Sequence, residues 1–317
     1  MAKYIFRRLL MLIPVLLGVS FLVFSIMELT PGDPVTMYLG ASYTEEAYNS
    51  ISHELGLDQP FLIRYGKFVM DAVTGNFGIS YSTRQPVVNE ILPRLPKTIQ
   101  LSAAAMLFAV MVGMPLGIIS AVKQNSILDS AASIVALAGV SVPAFWLGIM
   151  LILAFAANLG WFPSSYTDHW KALVLPAVTL SANTLAVVMR MTRSSLLETI
   201  RQDYIRTARA KGLGESAVII KHALRNAMIP IITTVGLQFG FSLGGAVLVE
   251  TVFAWPGIGS LLVEAIRLKN TPIVLAIVVI LAAIFSVINL AIDILYAFFD
   301  PRIKAEYKKV KVKVKAG

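Results

Sequence analysis

Cysteine is absent from the 317 residues and charge is scarce. Without cysteine there can be no disulfide framework and no thiolate metal site, and the redox compartment leaves no trace. Charged residues make up 14% of the chain, whereas a soluble domain carries about a quarter. With 57% of its residues hydrophobic, the polar residues cannot cover a water-soluble fold, so lipid must be part of the solvent. Three catalytic patterns are missing as well. No Gly-x-x-x-x-Gly-Lys-Ser/Thr loop can cradle nucleotide phosphates, since Gly66-Lys67 is followed by Phe68. His53-Glu54 opens like a zinc-protease helix, but position 57 is Leu57, which leaves an ordinary surface histidine. The three histidines (His53, His169 and His222) fall in loops, so no intramembrane serine has a base within reach. The chain reads as a non-enzyme.

What is present is long apolar runs. A helix needs roughly 20 apolar residues to cross the hydrocarbon core, and six segments qualify: 9–29, 99–122, 131–157, 172–190, 227–250 and 272–298. The fourth is the weakest, with a short uncharged stretch that contains Pro176. The uncharged stretch from Ser130 to Thr167 is too long for one helix, and Asn158–Pro163 reads as its interfacial exit. The first segment follows Lys3, Arg7 and Arg8 like a signal peptide, but Glu28-Leu29-Thr30-Pro31 replaces a small-residue cleavage site, so it reads as a retained helix.

The net charge of +9 would suggest nucleic acid in a soluble protein. Here the basic residues border apolar segments and read as an orientation signal, with no nucleic-acid partner. Lys3, Arg7, Arg8 and Lys123, eight basic residues between 190 and 228, and seven in the tail from Arg302 to Lys315 fall on one side. The short loops of the other side hold only Lys171, Arg267 and Lys269. The bias predicts that both termini are cytoplasmic.

The fold class is therefore all-α and integral to the membrane, with six transmembrane helices, an extracytoplasmic helical cap and a short cytoplasmic helix between the fourth and fifth spans. The expected parts are a tail and first span (1–29), the cap loop (30–98), a core of five spans (99–298) that includes the loop 191–228, and a basic tail (299–317). In the cap, Thr44-Glu45-Glu46 predicts a capped helix start and Gly56 its end. A second helix follows Pro60 with Phe61, Leu62, Tyr65, Phe68, Val69, Ala72 and Val73 at helical spacing. Gly75-Asn76-Phe77-Gly78 is turn chemistry, and an amphipathic piece 86–95 leads into the second span.

The loop from Asp203 to Gly214 is the most informative stretch. It predicts a short helix stopped at Gly212, where glycine takes a left-handed cap, and a second helix from about Glu215 towards Pro230. Tyr204, Ala208 and Gly212 share a helical face, with Arg206, Arg209 and Lys211 around it. A solvated topology signal and a docking element for a soluble motor both fit. A DNA-binding helix-turn-helix does not, because both ends are tethered to membrane helices within a few residues.

This loop resembles the coupling loop of ABC-importer permeases, whose hallmark is Glu-Ala-Ala, three residues, then Gly. Aligned on Gly212, Arg206-Thr207-Ala208 stands in place of Glu-Ala-Ala, so no role of that Glu carries over. The variant Tyr-Ile-Arg-Thr-Ala-Arg-Ala-Lys-Gly at 204–212 is characteristic of the dipeptide/oligopeptide/nickel branch, which includes glutathione importers. Further motifs similar to that branch run along nearly the whole chain. They are Pro31–Pro34, Gly56–Pro60, Gly75–Gly78, His222–Ala227, Val249–Phe253, Trp255–Gly259 and Asp300-Pro301-Arg302. The large first outer loop is similar to that of the first of two paired permeases.

The resemblance implies the membrane-spanning subunit of an ATP-driven importer of di- or oligopeptides, with nickel chelates or glutathione as alternative cargo. It implies a second homologous permease, two ATP-binding subunits that hold ATP and Mg, and an extracytoplasmic substrate-binding protein. No cofactor is expected in this chain, which would sit in a bacterial or archaeal plasma (inner) membrane. The ATPase-coupling residues would be Tyr204, Arg206, Ala208, Arg209, Ala210, Lys211, Gly212, Leu213 and Glu215. The rival from another class is a stand-alone secondary transporter, which would need buried coupling charges inside the spans.

Ionisable groups near lipid depth are functional candidates by default. Glu250 is the deepest, and two readings stand open: lining of the translocation pathway, or a structural hydrogen bond to the Trp255-Pro256-Gly257 turn. Glu28 and Asp293 lie near helix ends, where interfacial water accounts for them. Gly236, Gly240, Gly244 and Gly245 suit close helix packing.

Overall fold

In the computed structural model, residues 2–40 and 42–299 are described. The basic tail, Asp300-Pro301-Arg302 and the side chain of Asp293 lie outside the described residues. Among the described residues every element is helical, apart from an isolated antiparallel bridge between Ile79 and Pro86.

Helix α1 (Ala2–Leu29) is the first span. Asp33 caps α2 (Pro34–Leu39) by accepting from the Val35 N–H at 3.0 Å, with Pro34 in the first turn where it displaces no hydrogen bond. Thr44 caps α3 (Glu45–Glu54) by accepting from the Ala47 N–H at 3.2 Å, as the sequence predicts. Next comes α4 (Phe61–Val73), which starts directly after Pro60. The amphipathic piece expected at 86–95 is shorter in the structure: α5 (Val87–Ile91) is separated by a turn from α6 (Leu95–Val122).

The stretch expected as one span at 131–157 is broken. It forms α7 (Ile127–Ser141) and α8 (Ala144–Leu151), the latter running on as a π-helical stretch Ile152–Asn158. The two halves meet at 105°. Pro143 is the cause, because its ring disfavours helical geometry at the preceding residue. Val142 is accordingly extended, with ψ of 125°, and the helix restarts at Ala144.

A 3₁₀ turn (Trp170–Leu173) leads into α9 (Val174–Ile200), which ends ten residues beyond the apolar run at 190. Helices α10 (Asp203–Ala210) and α11 (Glu215–Ala217) follow, then a π-helical stretch Val218–Leu224 and α12 (Arg225–Val252). The chain continues through α13 (Ile258–Arg267) and α14 (Thr271–Phe299). Among the described residues five stretches are long and apolar enough to span: Phe6–Leu29, Val87–Val122, Trp170–Ile200, Glu215–Val252 and Thr271–Ile292. The bent pair makes the sixth.

The chain divides into two units. Residues 1–100 and 246–286 form the first. Its core gathers Met27, Val87, Ile91, Ile258, Leu261, Ile273 and Ile277. The start of α14 is fastened there by Asn270, whose amide donates to Ser80 and Ser82 while its oxygen accepts from the Tyr81 N–H. Burial pushes the pKa of the Tyr81 hydroxyl up to about 12.

Residues 101–245 and 287–299 form the second unit, organised on α9. A Cβ placed on Gly113, Gly117 or Gly139 would stand 2.6–2.8 Å from the α9 carbonyls of Leu185, Met189 and Ala182. The small residues of α6 and α7 thus let backbone meet backbone, as helices do in lipid. Of the glycines expected to serve packing, Gly236 lies against Ile292, whereas nothing approaches the position a Cβ would take on Gly244.

Candidate functional site: the loop between the fourth and fifth spans, and Glu250

Helix α10 owes its position to Ile205 and Ala208. Three residues apart, they share one face and are buried with Leu196, Val218, Ile219, Ala223 and Ile231. Full burial of an isoleucine contributes about 2 kcal/mol, so Ile205 alone holds the short helix firmly.

This burial changes the expected outward face. Ala208 points into the chain's own core and not outward with Tyr204, because Ile205 claims the inner side. What remains exposed is Tyr204, Arg206, Thr207, Arg209, Ala210, Lys211, Leu213 and Glu215. Tyr204 and Leu213 are the large apolar groups among them, at 43% and 41% exposure. Partial burial raises the pKa of the Tyr204 hydroxyl, opposed by its hydrogen bond with Asn226.

Gly212 has φ of +77°, the left-handed geometry that the sequence predicts at the helix end. Across this turn, Arg209 donates from Nε and Nη2 to the two carboxylate oxygens of Glu215, at 3.0 and 2.6 Å. That fork raises the already high pKa of Arg209. Arg206 stands 3.8 Å from Asp203, a loose exposed pair. Sequence reasoning placed Arg209 and Glu215 in the loop but not together, because their approach depends on the turn.

Glu250 lies in α12 with none of its surface exposed. Its Oε1 accepts from the Thr98 hydroxyl at 2.6 Å and its Oε2 from the Ser260 N–H at 2.9 Å. The Thr98 hydroxyl oxygen in turn accepts from the Ile258 N–H at 2.9 Å, and the Glu250 carbonyl accepts from the Trp255 N–H at 2.8 Å. Gly257 and Gly259 face the carboxyl so closely that a Cβ on either would collide with it. This geometry fits a structural bracket, and Glu250 also borders a pocket with Thr251, Ala254 and Trp255, so both readings open in the sequence stay open.

A second buried carboxylate was not legible as such. Asp129, near the start of α7, accepts from Arg193 Nε and Nη2, both at 2.8 Å, from the Asn125 N–H at 2.9 Å, and from the Ser120 hydroxyl. Its N–H donates to Ser126 Oγ at 3.3 Å. The Ser126-x-x-Asp129 spacing of a capping box was the available signal, but it gives no hint of the guanidinium arriving from α9.

Comparison with known proteins agrees with this architecture. Residues 113–305 match the family described as binding-protein-dependent transport system inner membrane component, and residues 1–102 match its N-terminal family. The chain is 44% identical over 332 residues to the dipeptide transport system permease protein of Alkalihalophilus pseudofirmus, covering 96% of this chain and 100% of that one. It is 43% identical over 304 residues to the glutathione transport system permease protein of Escherichia coli K12, covering 96% and 99%. Among solved structures, a chain of the inward-facing MetNI methionine ABC transporter superposes with a TM-score of 0.53 at 19% identity, covering 65% of this chain and 94% of that one. A chain of an amino acid ABC transporter with histidines gives 0.51 at 17% identity, covering 68% and 94%. These two share the fold. Bent third span, short helix closed by Gly212 and matched sequence together place the chain in the family of binding-protein-dependent transport system inner membrane components.

Proposed function

We propose that this chain is the translocating permease of an ATP-driven importer whose cargo is a short peptide, and that the loop 201–215 couples it to the motor. The observation that carries the cargo is the pair of near full-length relatives, one named for dipeptide and one for glutathione transport. Both substrates are small peptides. The partners are a second homologous permease, two ATP-binding subunits that hold ATP and Mg, and an extracytoplasmic substrate-binding protein. In this reading ATP closure of the motor moves α10, and Tyr204, Arg206, Lys211 and Leu213 form the contact. The exposure of two large apolar groups ringed by cations supports it. Both termini face the cytoplasm, supported by the basic residues gathered in 190–228.

The test is reconstitution with and without the partner subunits. With them, a labelled dipeptide or glutathione is taken up on addition of ATP. The chain alone shows neither ATPase activity nor uptake. Uptake by the chain alone on a proton or sodium gradient would replace this reading with a secondary transporter. Orientation is read separately, by impermeant maleimide on single cysteines in this cysteine-free chain. Ser42→Cys reacts on intact cells and Gln124→Cys does not; the opposite pattern overturns the topology.

A further inference from the structure

Helix α4 carries three faces. Phe61, Tyr65, Phe68 and Ala72 form one, and Arg64, Lys67 and Asp71 a second. The third is Leu62, Ile63, Gly66, Val69, Met70 and Val73. The aromatic face packs on α1: the rings of Phe61 and Tyr65 stand edge-on to Phe21 and Phe24, with centroids 5.1–5.8 Å apart. The polar face borders a small cavity that Asn76, Tyr81 and Thr271 also line. The third face is apolar and bare. Leu62 is 70% exposed, Ile63 57%, Met70 73% and Val73 84%.

The depth of this helix follows from α1. Arg8 and Glu28 bracket its uncharged run and lie twenty residues apart, about 30 Å at 1.5 Å per residue. That is the thickness of a bilayer's hydrocarbon core, so the two charges fix the register of α1 in the membrane. Contacts of α4 then mark its depth. Arg64 pairs with Glu28 at 2.8 Å, at the boundary. Phe24 and Phe21 lie about 6 and 10 Å further in. The Tyr65 hydroxyl donates to the Leu17 carbonyl at 2.8 Å and lies 3.0 Å from Ser20 Oγ. Leu17 is eleven residues from Glu28, about 16 Å inward and close to the bilayer midplane. A phenol at that level must find protein partners, because hydrocarbon offers none. Tyr65 has two.

We propose that α4 is immersed in the leaflet nearer Glu28 and that its third face is covered by lipid acyl chains. On the membrane side of Glu28 the apolar surface of α1 is bare as well, at Leu22 and Ile26. An apolar patch of this size is rare on a surface that meets water. In the sequence, α4 reads as part of a cap outside the membrane; its contacts with α1 carry it into the bilayer.

The experiment uses the full chain assembled with its partner subunits in nanodiscs, with single cysteines at Leu62, Met70 and Val73 carrying bimane and Glu54→Cys as the control. Lipids brominated along the acyl chains should quench the three α4 labels at least two-fold relative to ordinary lipid and leave Glu54→Cys unchanged. Aqueous iodide should do the reverse. Iodide quenching of the α4 labels, with no response to bromine, places the helix above the membrane and overturns the proposal. Insensitivity to both assigns the face to a protein partner and overturns it equally. The three positions are exposed, so a variant that fails to assemble is replaced by either of the others.

Discussion

Among the described residues each unit buries one carboxylate, and the two are satisfied differently. Glu250 is held by donors that carry no charge, the Thr98 hydroxyl and the Ser260 N–H, and is pressed against Gly257 and Gly259. Asp129 is held by a guanidinium, a hydroxyl and a backbone N–H. The first arrangement closes the tight turn from Glu250 to Ser260 and fastens it to α6 through Thr98. The second ties α6, α7 and α9 through Ser120, Asp129 and Arg193. A neutral cradle depends on shape, since every donor must stand at the right place. An ion pair depends on both charges, since either alone is costly to bury.

That contrast is tested most severely by Asp129→Ala. It leaves Arg193 unpaired with its side chain 29% exposed, so the loss falls below the roughly 3–5 kcal/mol of a fully buried pair and is expected at about 2–3 kcal/mol. Thermal unfolding of the assembled transporter in detergent measures it. The double variant Asp129→Ala/Arg193→Met should recover part of the loss. Recovery of nothing would mean that the charges do not act as a pair.

Gly259→Ala probes shape in the other unit. Its Cβ would stand 2.7 Å from the Val247 Cα, a backbone atom that cannot swing aside. Overpacking of this kind costs about 1–3 kcal/mol. Glu250→Gln belongs beside it: the amide can present its oxygen to only one of two donors, and a missed charge-assisted hydrogen bond costs about 1.5–3 kcal/mol. Both variants should lower melting temperature and yield together. If Glu250→Gln assembles normally but loses uptake, the carboxylate serves the pathway and not the turn.

Gly212→Val comes next. Nothing lies within 4 Å of its would-be Cβ, so the cost is conformational, about 1–2 kcal/mol. Insertion should be normal while ATPase stimulation by loaded binding protein falls. Gly212→Asn, which tolerates the left-handed region, should retain most of it. Equal stimulation in Gly212→Val and the wild type would remove the coupling role from this turn. The smallest effect is expected from Glu215→Gln, since the exposed Arg209–Glu215 fork is worth under about 1 kcal/mol. A loss of stimulation without a change in melting temperature would make the fork part of the docking surface.

The spans were legible in proportion to how much lipid they meet. Thr271–Ile292, with 28% of its apolar window buried, was plain in the sequence. In Trp170–Ile200 the figure is 61%, and the apolar run fades ten residues before the helix ends. Hydropathy reports contact with lipid, and α9 is sheltered by its neighbours, so Thr184, Thr192 and Ser195 can stand where an exposed span would need leucine. The left-handed turn at Gly212 and the cap at Thr44 were readable because their chemistry is local. The inward turn of Ala208, the Arg193–Asp129 pair and the depth of α4 were not. Each depends on which element arrives opposite, and spacing along one helix carries no such information.

The bend at Pro143 bears on how the chain is made. Helix α7 has fifteen residues and so a length of about 22 Å, short of the roughly 30 Å that a bilayer core demands. At the bend the first turn of α8 presents N–H groups that hydrocarbon cannot satisfy. Neither half is a self-sufficient stop for a translocon. The ribosome must therefore reach the end of α9, near Ile200, before the bent pair gains the helix against whose Ala182 carbonyl its Gly139 packs. Residues 127–200 thus enter the bilayer as one cotranslational parcel, and a nascent chain arrested before Val174 should leave that parcel poorly integrated and open to proteolysis.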